Sequence, residues 1–398
     1  MRIVLLTIAA AGLLHAESVS QLVTHALKTH PSLQSIQHRL SAMDERVAKS
    51  GNWSNPELVL NINDIQFDNP TDRTLEPMQY QAVNFKQRFP WFGKTSAKEL
   101  LTREQKHLLM DSYDMAKVRL AEEIKKTAYT ILEIKQRLKI VNDYEKLTRQ
   151  NIDLYDAYSS TDAKSHSNSM SAELMLSRLH IRAERYKAVL KSQQAKLAYL
   201  VQKKAVSLND TLHIVPPKPL DYYLSKLEQN PVYKKTLTQT GVAEANHALK
   251  ELDHMPDPFV QVGYFNRKEY PDYGSIAVGF ALPVYGSETL ESEAARKETL
   301  AAKSAAIDYR ARLESQIRTA YAKMQEAYRI YNIIEHDSLP KLAHMFELNE
   351  ASIQNGEDLF TYTSLLEQKL DLVEERTVAQ AEYLRRLAAL TSLIGETK

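Results

Sequence analysis

The chain has 398 residues, with 51 Lys and Arg against 50 Asp and Glu, a net charge of +1, and no cysteine. The balance excludes a global field that would gather nucleic acid, and no basic cluster forms a DNA-reading face. The missing thiols exclude disulfides, thiol catalysis, cysteine metal sites and lipidation at an N-terminal cysteine.

Residues 1–16 read as a secretion signal. Arg2 is the positive start, 3–14 the apolar run, and Leu14-His15-Ala16 offers a small residue for cleavage before Glu17. No later segment approaches the ~18 apolar residues of a membrane helix. The first unit is predicted over 17–214. Residues 17–49 are helical, broken or kinked at Pro31. A β-hairpin follows over 56–89. Leu58, Leu60 and Ile62 alternate with Val59, Asn61 and Asn63 in its first strand, 57–67. Val83, Phe85 and Phe89 alternate with Asn84, Lys86 and Arg88 in its second, 80–89.

A helical hairpin is predicted over 94–205. Residues 94–158 hold no Pro or Gly, and at 1.5 Å per residue that run reaches about 100 Å. Tyr113, Leu120, Ile124, Ile131, Ile134, Leu138 and Val141 recur at helical steps, and Ile140, Leu147 and Leu154 form a second stripe. Two seams on one helix call for two neighbours. A turn over 159–169 leads to a return helix, 170–202.

After a Pro-rich linker, 215–219, the second unit over 220–398 repeats the order. It has a helix (220–252), a β-hairpin (258–283) and a helical hairpin (287–395). Val260, Val262 and Tyr264 alternate with Gln261 and Gly263, and Ile276, Val278, Phe280 and Leu282 with Ser275, Ala277, Gly279 and Ala281. Strands of about ten to twelve residues are expected, near the ~9–11 of a tilted membrane strand. Ile317, Tyr321, Met324, Tyr328 and Tyr331 make a seam on the second long helix, with Leu313, Ala320, Ala327 and Ile334 beside it, and Pro340 is expected to bend that helix. A turn at Asn355-Gly356 precedes the return helix, 357–393. Strand turns into helix at Pro56, Pro90 and Gly93, and again at Pro258, Pro283 and Gly286.

The predicted class is mainly α with a small antiparallel β part, built from a duplicated helix-strand-strand-long helix-helix unit. Four strands with two open edges are untenable in lipid, so other copies must close the sheet. Two copies give eight strands, whose lumen side chains fill. Three give twelve, wide enough for water, and the small and polar inner faces favour this. The expected assembly is a homotrimeric α-helical barrel capped by a 12-stranded β-barrel in outer-membrane lipid, its helical tunnel in the periplasm.

Ala26-Leu27 with His30-Pro31-Ser32-Leu33, Asn55-Pro56-Glu57-Leu58, Phe89-Pro90-Trp91-Phe92-Gly93-Lys94, the tyrosine-rich second long helix, and Gly356 with Leu359, Leu365 and Leu366 occur in an order that resembles the TolC-type outer-membrane efflux proteins. The segment 89–94 looks most like the branch serving heavy-metal pumps of the resistance-nodulation-division class. The resemblance implies an exit duct docked to a periplasmic adaptor (membrane fusion) protein and an inner-membrane pump of that class or an ATP-driven one, passing small substrates such as metal cations or drugs. It implies adaptor contact at the hairpin tips, here Ser165, His166, Ser169, Asn355 and Gly356. Family members often carry a gate of acidic residues six and nine positions after the glycine. This chain has Tyr362 and Leu365 there, leaving Glu357, Asp358 and Glu367 as substitutes.

No catalytic constellation, metal site or cofactor motif is present. His254-Met255 and His344-Met345 read as surface and packing, because two ligands do not define a site. The alternatives are the exit duct of a type I protein-secretion system and a soluble periplasmic coiled-coil scaffold.

Overall fold

The structure, a computed structural model, describes residues 17–158, 163–353 and 359–397. The signal segment 1–16 and the tip residues Asn355, Gly356, Glu357 and Asp358 lie outside the described residues. The protein is mostly helical, with one small antiparallel sheet of four strands.

Helix α1 (Val19–Thr29) opens with a capping box in which Ser18 and Gln21 satisfy each other's backbone N–H. It stops at His30, whose extended backbone (φ −67°, ψ 126°) is what a residue before proline adopts. Pro31 then starts α2 (Pro31–Ser50) at the first helical position, where the missing N–H would have had no partner in the helix. Of the two expected outcomes at Pro31, a break or a kink, the chain takes the break. The second unit repeats the device: Asn230 is extended and Pro231 starts α6 (Pro231–Leu252). The predicted helix 220–252 is divided there, with a short α5 (Leu220–Leu224) and a 3-10 turn before the break.

Strands β1 (Glu57–Asn63), β2 (Tyr80–Arg88), β3 (Pro258–Asn266) and β4 (Tyr273–Phe280) pair in sequence order, all antiparallel. They run seven to nine residues, shorter than expected. β1 ends early because Asp64 takes a left-handed backbone (φ 58°) that no strand continues through.

Helix α3 (Lys94–Tyr158) is unbroken, and α4 (Ala163–Val201) starts earlier than expected, so much of the predicted turn 159–169 is helix. α4 closes at Gln202 (φ 55°), with Lys203 donating to the Ala198 carbonyl across the last turn. α7 (Ser287–Ile333) passes through a π turn at Ile334–Ser338 into α8 (Leu339–Ile353). Pro340 is the second residue of α8. The wider π ring accommodates a proline that has no N–H to give. α9 (Leu359–Leu393) completes the order.

Two compact units emerge, and each draws on both sequence repeats. One holds α1, 114–158 of α3, α4, the linker, α5, the end of α7, α8 and α9. Its core includes Ile124, Ile131, Val141, Leu313, Ile317 and Met324, members of the predicted stripes. Val141, Tyr144, Met175, Leu179, Leu366 and Leu370 form one cluster joining α3, α4 and α9. The other unit holds α2, the sheet, α6 and the starts of α3 and α7.

Candidate channel wall

The register sorts the sheet into two faces. Leu58 opposes Phe85, which opposes Val262, which opposes Ile276. Leu60 opposes Val83, and Val260 opposes Val278. Opposed residues share a face, so every one of these apolar side chains lies on the same side. That side is bare: Leu60 is 73%, Ile276 77% and Val278 70% exposed. The other face carries Asn61, Asn84, Lys86, Gln261, Ser275 and small residues, and there Ala82 and Asn84 are buried. A sheet in water shows the opposite polarity.

Sequence alternation missed the aromatic residues of the polar face, Tyr80, Phe259, Phe265 and Tyr273. Phe265 stacks on Tyr273 (4.6 Å), and Phe259 lies over Gly279, where an added Cβ would meet its ring at 2.6 Å. Their signal was the glycines, which leave room for a ring. Among the described residues, β1 and β4 each keep one unpaired edge.

The transition residues cluster at one end of this sheet. Pro56 precedes β1, Pro90 follows β2, Pro258 opens β3, and Pro283 follows β4. Gly93 and Gly286 stand directly before α3 and α7 with positive φ (87° and 72°), a matched pair of left-handed turns from strand into helix. A clasp that the sequence did not suggest holds the first of them. Asp257 accepts from the Trp91 backbone N–H (2.9 Å) and pairs with Lys94 (2.9 Å), whose Nζ also donates to the Met255 carbonyl (2.6 Å).

Of the tip residues, Ser165, His166 and Ser169 lie in α4; Ser169 is buried, and the side chains of the other two lie outside the described residues. Glu367 is half-exposed and paired with Arg178 (3.2 Å). It begins a ladder between α4 and α9 that continues inward. Arg182 binds Asp371 and Glu374 (both 3.0 Å), Tyr186 donates to Glu374 (2.7 Å), and Arg137 of α3 reaches Glu374 (3.4 Å) and Glu133 (3.2 Å). Arg385 closes on Glu133 at 2.5 Å. Glu133 and Glu374 are both buried. Its only signal in the sequence was a charge at 133, set inside an apolar stripe.

Burial, then the bond to Glu374, pushes the Tyr186 hydroxyl up to about 12, and burial does the same for Tyr144, Tyr223 and Tyr383. A folded pKa above the unfolded value of about 10 favours the protonated form in the fold. That stabilisation is complete below pH ~10 and is lost as pH rises towards ~12. Tyr186→Phe should therefore flatten the decline in melting temperature over that alkaline window, measured against the parent chain. An unchanged slope would remove Tyr186 from this account. Among the described residues no group of three or more His, Asp or Glu could hold a metal ion.

No protein-family model matches the chain, and no curated protein does. Solved structures do. The outer membrane protein VceC of Vibrio cholerae aligns with a TM-score of 0.76 at 13% identity, over 95% of this chain and 96% of its own. The open state of the MtrE outer membrane channel of Neisseria gonorrhoeae aligns at 0.79 and 12%, over 95% and 89%. The chain has the TolC-type fold. The CmeC outer membrane channel of Campylobacter jejuni aligns at 0.75 and 12%, over 95% and 86%. CusC, described in terms of transmembrane channel formation, aligns at 0.74 and 11%, over 94% and 92%. Scores this close do not single out a metal branch of the TolC-type fold.

Proposed function

We propose that the chain is one protomer of a homotrimeric outer-membrane exit duct in a tripartite efflux pump, with no chemistry of its own. The observation that carries this is the inverted sheet, apolar outside and polar inside, with both edges open. Water penalises the bare apolar face, and lipid penalises the open edges. Three copies would satisfy both by closing twelve strands, with α3, α4 and α7–α9 continuing as a periplasmic tunnel. Exposed Leu174 and Ile181 on α4, and Ile307 and Ile333 on α7, are apolar residues of the kind that neighbouring copies would cover. In this reading 1–16 is removed on export, the repeats 17–214 and 220–398 serve as matched wall segments, and a periplasmic adaptor docks at the tips around Ser165, His166, Ser169, Asn355 and Gly356. A resistance-nodulation-division or ATP-driven pump supplies the energy, and metal cations or drugs are the cargo.

Purified full chain should run as a heat-modifiable trimer and open channels in planar bilayers. A detergent-free soluble monomer would overturn the proposal. Glu357, Asp358 and Glu367 would form rings of three near the tip, favouring cations. Asp358→Asn/Glu367→Gln should then lower cation preference several-fold in single-channel reversal potentials. Unchanged selectivity would discard this gate.

A further inference from the structure

A cavity of about 800 Å³ opens where the sheet meets its helices, between the end of α2, the start of α3 and the end of α6. Arg46, Lys49, Arg88 and Lys98 all line it. None of the four has a carboxylate partner among the described residues, whereas Lys94 in the same wall is held by Asp257 and Asp253. Charge here is out of balance locally, although the whole chain is nearly neutral.

The start of α3 sharpens the point. A helix N-terminus carries partial positive charge and ordinarily attracts acidic side chains. The first turn of α3 has none of its own: Lys94 stands there, held by Asp257, and Lys98 follows one turn on. Cations gathered near a positive helix end repel one another, and Asp253 and Asp257 offset only Lys94 of the five that line the cavity.

The remaining wall tells what kind of anion. Trp53 lines the cavity, is more than half exposed, and packs edge-on against Phe89 at 5.3 Å. By alternation Phe89 follows Phe85 and Val83 on the bare apolar face. The site thus joins unpaired cations to the margin of an apolar surface, with an indole between them, which is where membrane proteins place tryptophan. A free inorganic anion has no use for the apolar margin. An anionic phospholipid uses both, its phosphate among the cations and its chains along the sheet.

Resting on the membrane reading of the sheet, we infer that this cavity is a binding site for the headgroup of an anionic phospholipid, of the phosphatidylglycerol class, in the leaflet next to the helices. Lys49 and Lys98 would contact the phosphate, and Trp53 would mark the interface.

The chain has two tryptophans, so Trp91→Phe leaves Trp53 as the sole tryptophan. The full chain carrying that change, reconstituted in phosphatidylcholine bilayers, is titrated with brominated phosphatidylglycerol or brominated phosphatidylcholine. Trp53 quenching should favour the anionic lipid, with a loss of about fivefold in preference for each of Lys49→Gln and Lys98→Gln. Lipid retained in native mass spectra of the otherwise unaltered chain should show the same order. Equal quenching by the two lipids, or a preference that survives both substitutions together, would overturn this site and leave the membrane reading standing. A preference abolished by millimolar inorganic phosphate would reassign the site to a free anion and overturn the lipid assignment. Absence of quenching by either lipid would overturn the membrane reading and the site together.

Discussion

Ile276→Arg should remove the chain from the outer-membrane fraction. Ile276 lies mid-strand in β4, opposite Val262 on the bare apolar face. Arginine on the lipid face of a barrel costs about 2–4 kcal/mol near the bilayer centre. In a closed homotrimer the substitution enters three times, which exceeds what an assembly of marginal stability tolerates. The informative control is Asn61→Arg, which places the same charge on the polar face, where the proposed lumen would hydrate it. Fractionation and heat-dependent gel mobility read both variants. If Ile276→Arg assembles as well as Asn61→Arg, the two faces are energetically alike and the sheet is not facing lipid.

Glu374→Ala should lower stability by about 3 kcal/mol, the range seen when one member of a buried ion pair is deleted. Glu374 is buried and accepts from Arg182, Arg137 and Tyr186. Its loss leaves two guanidinium groups with reduced compensation in a partly desolvated site. Arg182 keeps Asp371 and Arg137 keeps Glu133, so the cost should stop short of complete unfolding. Glu367→Ala, which breaks the exposed pair with Arg178, should cost no more than about 1 kcal/mol. Chemical denaturation in detergent measures both. Equal small losses would mean that the inner rungs of the ladder are as hydrated as the outer one.

The legible parts of the fold were those set by local rules. Proline and glycine fix backbone geometry within a residue or two, so the breaks at Pro31, Pro90 and Pro258 could be read directly. Helical stripes identified Ile124, Ile131, Ile317 and Met324 as core, because period and burial are coupled along one helix. Strand length was less legible. Alternation ran on to residue 67, but the positive φ of Asp64 ends β1 at Asn63, and nothing in the apolar pattern records that.

The sequence by itself determined the duplication, the helix-strand-strand-helix order and the alternation of each strand, since these depend on residue types at short range. Only the tertiary structure decided that the four apolar faces coincide, because that is a matter of register between strands as distant as β2 and β3. Only the tertiary structure gathered Glu133, Arg137, Arg182, Tyr186, Glu374 and Arg385 into one ladder, and Arg46, Lys49, Arg88 and Lys98 around one cavity. Charges far apart in the chain share no pattern, and their partners are set by how the helices pack.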